Sequence, residues 1–299
     1  MVTSAFAFKF QPRLKSSPVY WIGASALMVV AAGSAFAQDA VKPSSKSTSP
    51  WEVSVGAAIA SSSAYEGGKK TVSGLVPNVN IRYKTDGYGT FGIGGKGLGL
   101  SWTAIDTDAY SLGVSVGANT GRKDDKDGTL FSSGSKRLKG MGEIKSSADV
   151  SIFGHYTVGV PIMVQFTKNT GNGKVDAKDG SFKGHGGTEI SLSTEIPIAV
   201  TSAITLSISP SLNWADSKYM QTYFGVTAAQ SAKSGFKQYK ADGGIKSVAL
   251  SLGANYQFDK NWAANVGVTF SQLQGNAGKS PLVERKGQTS VLAGVSYTF

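Results

Sequence analysis

From Val248 to Phe299 the chain alternates apolar and small polar residues with a period of two, a pattern that leaves few folds open. Val291, Ala293, Val295, Tyr297 and Phe299 fall on one face, and Ser290, Leu292, Gly294, Ser296 and Thr298 on the other. Trp262, Ala264, Val266, Val268 and Phe270 alternate with Ala263, Asn265, Gly267, Thr269 and Ser271. Val248, Leu250, Leu252, Ala254, Tyr256 and Phe258 do the same against Ala249, Ser251, Gly253, Asn255 and Gln257. A strict two-residue period gives each strand one oily and one wet face. Each run is about ten residues long, enough for a tilted strand to cross a hydrocarbon layer.

The same pattern begins at Trp51 and recurs through the chain. Trp51 to Ile59, Leu75 to Lys84, Tyr110 to Asn119, Ala148 to Tyr156, Val160 to Thr167, Glu189 to Ile196 and Ile204 to Trp214 alternate clearly. Tyr88 to Gly94 and Leu98 to Ile105 are weaker, glycine-rich versions, and the count reaches twelve. Connections alternate in length. Asp86-Gly87, Asp106-Thr107-Asp108, Val158-Gly159, Ala199 to Ser202 and Asp259-Lys260 are tight turns. Ser61 to Gly74, Gly121 to Glu143, Asn169 to Gly186, Asp216 to Gly244 and Gln274 to Lys286 are long; the link near Gly95-Lys96 departs from the rule. The expectation is an all-β fold, a transmembrane antiparallel up-and-down β-barrel of about twelve strands, short turns facing the periplasm and long loops facing out. Closure is required because an open edge in lipid leaves backbone donors and acceptors unpaired. A soluble sandwich or lipocalin-like barrel would instead need the apolar faces to meet in a core.

Residues 1–37 read as a cleaved signal peptide: Lys9, Arg13 and Lys15 precede an apolar run from Val19 to Ala32, and Ala35-Phe36-Ala37 offers a small-x-small cleavage site after Ala37. Residues 38–50, rich in Ser, Lys and Pro, read as a disordered periplasmic lead-in, and residues 51–299 as the barrel. There is no cysteine, which removes disulfide and thiolate-metal chemistry. The net charge of +11 includes three leader cations. No clustered basic arm or basic–aromatic motif points to nucleic acid; outer-membrane lipid and lipopolysaccharide phosphates fit the excess better.

Val295, Tyr297 and Phe299 form an ending similar to the C-terminal insertion signal of outer-membrane barrels. Trp51, Tyr83, Tyr88, Tyr110, Tyr156, Tyr256, Trp262, Tyr297 and Phe299 all fall at strand ends beside the short turns, where amphipathic rings meet a membrane–water boundary.

Candidate chemistry is sparse. His155 lies on the lumen side of its strand and His185 at the edge of a long loop. Serines are so common that a Ser–His neighbour carries little information, and catalysis is not expected. Asp124, Asp125, Asp127 and Gly128 lack the spacing and closing Glu of a calcium loop. Gly92, Gly94, Gly95, Gly97 and Gly99 are followed by no helix and no Lys-Ser/Thr, so no nucleotide loop is read there. No metal and no cofactor is expected. On the lumen face lie the charges Arg82, Lys84, Asp149, Glu189 and Glu195, with Glu52; they suit either a salt-bridged filling or a narrow aqueous path.

One further string is distinctive. Trp214-Ala215-Asp216, then Tyr219-Met220-Gln221-Thr222-Tyr223-Phe224-Gly225-Val226, Ser231, Ser234-Gly235 and Tyr239 resembles the MipA/OmpV family of MltA-interacting outer-membrane proteins. Tyr65-Glu66-Gly67, Pro77, Gly121-Arg122, Leu138, Gly140, Asn261-Trp262 and Ser280-Pro281-Leu282-Val283 extend the likeness in the family's order. Arg122 to Arg137 is the least similar part. The resemblance implies an outer-membrane barrel. For some members it also implies a scaffold between a lytic transglycosylase and a bifunctional murein synthase, and for others a porin-like channel or a loop-mediated adhesin. It brings no catalytic residues. The alternation of short turns and long loops puts the Trp214–Val226 segment on the outward side, where Tyr223 and Phe224 are expected to anchor the long loop in the barrel mouth.

Overall fold

A computed structural model describes residues 49–94, 99–174 and 181–299. The signal peptide with Ala37, most of the lead-in, and the glycine link at 95–98 lie outside the described residues. Twelve strands carry the fold: β1 (Trp51–Ser63), β2 (Thr71–Lys84), β3 (Thr90–Gly94), β4 (Gly99–Asp106), β5 (Tyr110–Asn119), β6 (Ser147–Val158), β7 (Val160–Asn169), β8 (Thr188–Thr194, resuming as Ile196–Ala199), β9 (Ile204–Ala215), β10 (Gly244–Gln257), β11 (Trp262–Leu273) and β12 (Gly287–Thr298). Each pairs antiparallel with its neighbour in sequence, and β12 pairs with β1 from Ser54↔Thr298 to Ser61↔Val291. The sheet is therefore a closed antiparallel barrel with no terminal edge, the arrangement that lipid demands.

Alternation places the side chains as the sequence reading expects. Ile59, Leu75, Leu112, Val150, Ile152, Val164, Phe166, Phe270 and Val295 point outward and are exposed, while Ser54, Ser115, Ser151, Thr167, Ser251 and Thr269 point inward and are buried. The wet face is stitched across strands by hydroxyls, with Ser151···Thr167 at 2.9 Å and Ser251···Thr269 at 2.8 Å. At the short-turn end the rings pair up: Trp51 with Tyr83 at 4.5 Å, Trp262 with Tyr297 at 5.1 Å and Tyr297 with Phe299 at 4.9 Å between centroids.

Three departures from ideal strands have local causes. The first loop is shorter than the sequence implies, 64–70, because alternation continues through Ser61↔Ser73 to Ser63↔Thr71. The eighth strand runs on to Ala199 with a break at Glu195. The register places that break opposite Ser209 and Pro210, and a proline nitrogen has no hydrogen for the ladder. In β2, Ala64 N–H to Lys70 O and Lys84 N–H to Pro50 O (both 2.8 Å) fix even-numbered residues as the ones bonded to β1. Odd-numbered Pro77 thus turns its donor-free nitrogen toward the β3 side, where the pairing among the described residues begins at Asn80.

The long loops gather at one end and supply the apolar core. Helix α1 (Ser217–Phe224) and α2 (Ala228–Ser234) lie between β9 and β10, and the single turn α3 (Gly275–Gly278) between β11 and β12. No helix among the described residues is long and apolar enough to cross a membrane. One buried cluster joins Ile144, Phe182, Tyr219, Met220, Tyr223, Phe224, Leu273 and Ala277; a second joins Tyr65, Leu138, Met141, Val226 and Leu282. Leu130, from the loop between β5 and β6, reaches down against Ala58, Ala60 and Leu292 on the inner wall.

Candidate functional site

The mouth of the barrel at the long-loop end is closed by a folded assembly of loops, built outward from α1. Asp216 caps that helix: its Oδ1 accepts the Tyr219 N–H at 2.9 Å, meeting a donor that the first turn would leave unpaired. The capped helix then turns Tyr219, Met220, Tyr223 and Phe224 into the mouth, all nearly inaccessible. Thr227 opens α2 through a capping box with Gln230, and Gly235 closes it at φ +78°, a left-handed conformation that favours glycine. Ser234 donates its hydroxyl to Gln230 O at 2.7 Å. Gly225 ends α1 where a Cβ would lie 2.1 Å from the Gln221 amide nitrogen. Trp214, by contrast, sits on the outward face of β9 between Ile190 and Ile245, at the top of the lipid-facing belt.

Beneath the rings lies a buried ionic network. Lys246 Nζ is 2.7 Å from Glu189 Oε1 and 3.3 Å from Glu66 Oε1, and it donates to the Tyr219 hydroxyl at 3.1 Å. Tyr219 donates in turn to Glu66 Oε2 at 3.3 Å. Beside it, Asp149 accepts from Asn119 Nδ2 at 3.1 Å and Asn169 Nδ2 at 2.5 Å. Asn119 Oδ1 accepts the Tyr223 hydroxyl at 3.2 Å, and Arg122 Nη1 donates to Tyr223 O at 2.6 Å. Lys246 thus faces two carboxylates, Glu66 and Glu189, while Asp149 is held by the Asn119 and Asn169 amides and Arg122 by the carbonyl and ring of Tyr223. Burial of this kind is tolerated only where charges are paired and hydrogen-bonded.

His185 completes the assembly. Its ring packs edge-on against Tyr219 at 4.8 Å and tilted against Tyr223 at 5.6 Å. Nδ1 accepts the Gly187 N–H at 3.1 Å, so the neutral ring carries its hydrogen on Nε2, which faces Asp149 Oδ1 at 3.8 Å. Burial pushes the His185 pKa down to about 3, with Lys246 adding to the effect. Burial likewise raises the hydroxyls of Tyr219 and Tyr223, which stay protonated donors.

Of the expected lumen charges, Asp149 and Glu189 meet in this network through partners the sequence reading did not connect. Arg82 lies 3.6 Å from Glu52 toward the short-turn end, Glu195 is buried at the break in β8, and Lys84 is exposed beside Pro50. Lys246, absent from the sequence candidates, has a parity that reads as lipid-facing. Trp214 pairs with Ile245 but Asn213 with Ser247, so Lys246 is an extra residue in a β-bulge and points inward. Glu66 and His185 lie on loops, where periodicity carries no signal. Ser111 Oγ does lie 2.6 Å from His155 Nδ1, but the same hydroxyl accepts the His155 N–H at 3.2 Å, which stitches two wall strands together. No group of three or more His, Asp or Glu among the described residues could hold a metal.

The scattered short motifs meet in the same assembly. Tyr65 donates to Leu282 O at 3.0 Å, and burial pushes its hydroxyl up to about 12. Ser280 donates to Phe224 O at 2.6 Å, and Gly121 N–H to Asn119 Oδ1 at 2.9 Å. At the opposite end Asn261 Nδ2 donates to Thr298 O at 2.7 Å, tying a short turn to the last strand.

A family model described as MltA-interacting protein MipA matches residues 55–299. No curated protein matches the chain. Among solved structures, an outer membrane channel from Pseudomonas putida F1 is 12% identical, with 87% of this chain and 100% of that chain covered and a TM-score of 0.42. The CymD monoaromatic hydrocarbon channel is 14% identical over 93% and 94% of the two chains, with a TM-score of 0.41. The toluene transporter TodX of Pseudomonas putida is 10% identical over 95% of each, with a TM-score of 0.39.

Proposed function

Because the chain belongs to the MipA family of MltA-interacting proteins, we propose that it is a non-enzymatic outer-membrane barrel that positions murein-remodelling enzymes. A lytic transglycosylase docks on its periplasmic end, and a bifunctional murein synthase is recruited with it. The observation that carries this reading is the closed mouth: the long loops pack their aromatic side chains against one another over the buried Lys246–Glu189–Glu66 network. The short-turn end is left as the open contact surface. There Glu52, Asp86, Asp106, Asp108 and Asp259 are exposed, beside the rings of Trp51 and Phe299. The lead-in, residues 38–50, directly precedes Trp51 at this end and is counted in the proposed contact surface.

The test is co-purification of a lytic transglycosylase with the tagged barrel from solubilised envelopes, alongside planar-bilayer conductance of the same preparation. Retention of the enzyme by the intact barrel is expected, with loss on deletion of residues 38–48 or on the triple change Asp86→Lys, Asp106→Lys, Asp108→Lys. Steady single-channel conductance without enzyme retention would replace the scaffold with a channel for small polar solutes. Binding to host cells without either would make the barrel an adhesin.

A further inference from the structure

The two ends of the barrel carry opposite charge. Among the described residues the long loops expose fifteen Lys and Arg side chains against two acidic ones, Asp125 and Asp242. At the short-turn end the exposed charged groups among the described residues are five acids against Lys84 and Lys260. Solubility alone calls for mixed signs and not for a segregation of this size.

The excess is concentrated where four loops interlock. Arg137 is the hub: it donates to Leu282 O at 3.0 Å and the Tyr65 hydroxyl at 3.3 Å, and lies 4.8 Å over the Phe236 ring. Gly140 abuts the backbone of Lys233 and Ser234. These contacts bring Lys136 and Lys139 together with Lys233 and Lys237 over the buried cluster of Tyr65, Leu138 and Leu282. Arg137 is balanced by Glu284 at 3.6 Å and Lys70 by Asp127 at 2.6 Å. Lys139, Lys233 and Lys237 are exposed and make no ion pair among the described residues, and exposed Lys136 shares the field of Asp127 with Lys70. Tyr65 and Leu282 belong to the loops on either side of the β12–β1 seam.

We propose that this patch binds the phosphate groups of lipopolysaccharide in the outer leaflet, fixing the barrel laterally while its other end holds the murein enzymes. A lysine ammonium is a mobile point charge with three donors, suited to phosphates presented at varied geometry. The inference rests on the outward orientation of the long loops taken in the proposed function.

The experiment measures binding of purified lipopolysaccharide to the detergent-solubilised full barrel, with dephosphorylated lipopolysaccharide and phosphatidylglycerol vesicles as the comparison arms. Reversal of all four lysines to Glu is expected to weaken lipopolysaccharide binding at least tenfold. The change Lys84→Glu with Lys260→Glu at the opposite end leaves binding unchanged. Heat-modifiable migration confirms that each variant is folded. Equal binding to dephosphorylated lipopolysaccharide or to the vesicles, or no effect of the four reversals, overturns the patch. A Lys237→Cys variant, reacted with an impermeant maleimide on intact cells, separates the premise: failure to label overturns the orientation and this partner with it. Labelling without phosphate-dependent binding overturns the patch alone.

Discussion

Lys246 on β10 and Glu189 on β8 meet across the intervening strand with 2.7 Å between Nζ and Oε1, both nearly inaccessible to solvent. The pair joins two walls of the barrel to α1 through the Tyr219 hydroxyl and to the first loop through Glu66. Removing one charge strands the other in a low-dielectric site, a change that costs about 3–5 kcal/mol. Lys246→Met should therefore lower the urea midpoint of the refolded barrel markedly. Combining it with Glu189→Leu should recover part of the loss. A double-mutant cycle measures the coupling, and strictly additive effects would mean the pair does not act as a unit.

His185 sets the pH response of the mouth. Its pKa is about 3 in the folded chain against an ordinary 6.5, burial being the main cause. A basic group with a depressed folded pKa takes up protons first in the unfolded or opened state. Stability is thus full above 6.5 and falls as pH drops toward 3. Charged groups near the ring are Asp149, Lys246, Asp216 and Lys168. Between pH 6.5 and 5, above the ordinary carboxylate range, the loss belongs chiefly to the histidine. Hydrogen exchange of the amides in α1 should quicken across that window in the native protein. With His185→Asn, whose Oδ1 can replace Nδ1 as acceptor for Gly187, it should stay nearly flat. An identical acid response in both proteins would remove the histidine from the account.

Those two sites also mark where the sequence stops being informative. Strands are legible because a wall with lipid on one side and small polar residues on the other imposes a period of two on nearly every position. Tyr223 and Phe224 were legible as anchors only through the family-like string around them. Asp149 and Glu189 were legible as inward charges, since parity is a local property. Their partners were not, because Lys246 owes its direction to one extra residue opposite Asn213 and Trp214, and a bulge inverts parity without altering composition. His185 and Arg122 reach the network from loops. Nothing periodic in the chain marks Leu130 as the residue that enters the lumen; only the chain path from Gly128 to Gly134 places it there.

The rings of α1 should be separable from the barrel that holds them. Tyr223 and Phe224 lie in the loop core with Ile144, Phe182 and Leu273. Truncating a buried aromatic residue to Ala costs about 3–5 kcal/mol. Because the strands keep their own ladder of hydrogen bonds, Phe224→Ala should leave the far-ultraviolet β signal intact while making residues 216–243 sensitive to added protease. Tyr223→Phe isolates the hydroxyl bonded to Asn119 and should cost about 1 kcal/mol. Loss of β signal at the same denaturant concentration as loss of the loop would show that mouth and wall unfold together.

Phe299 presents the opposite case, a residue whose value should not lie in packing. Its ring is 73% exposed, and its side chain meets Tyr297 edge-on at 4.9 Å. What ties the end of β12 down is backbone and turn: Phe299 N–H donates to Val53 O at 2.9 Å, and Thr298 N–H to Asn261 O at 2.9 Å. Phe299→Ala keeps those bonds and gives up one aromatic pair, about 0.5–1.5 kcal/mol at most. Refolding of the purified variant into detergent should therefore be close to normal in yield and urea midpoint. Assembly in cells should fall sharply if the alternating Val295, Tyr297, Phe299 ending is what the insertion machinery reads. The two measurements on one substitution divide the roles. A drop in both alike would assign the ring to stability, and no drop in either would remove it as a recognition element.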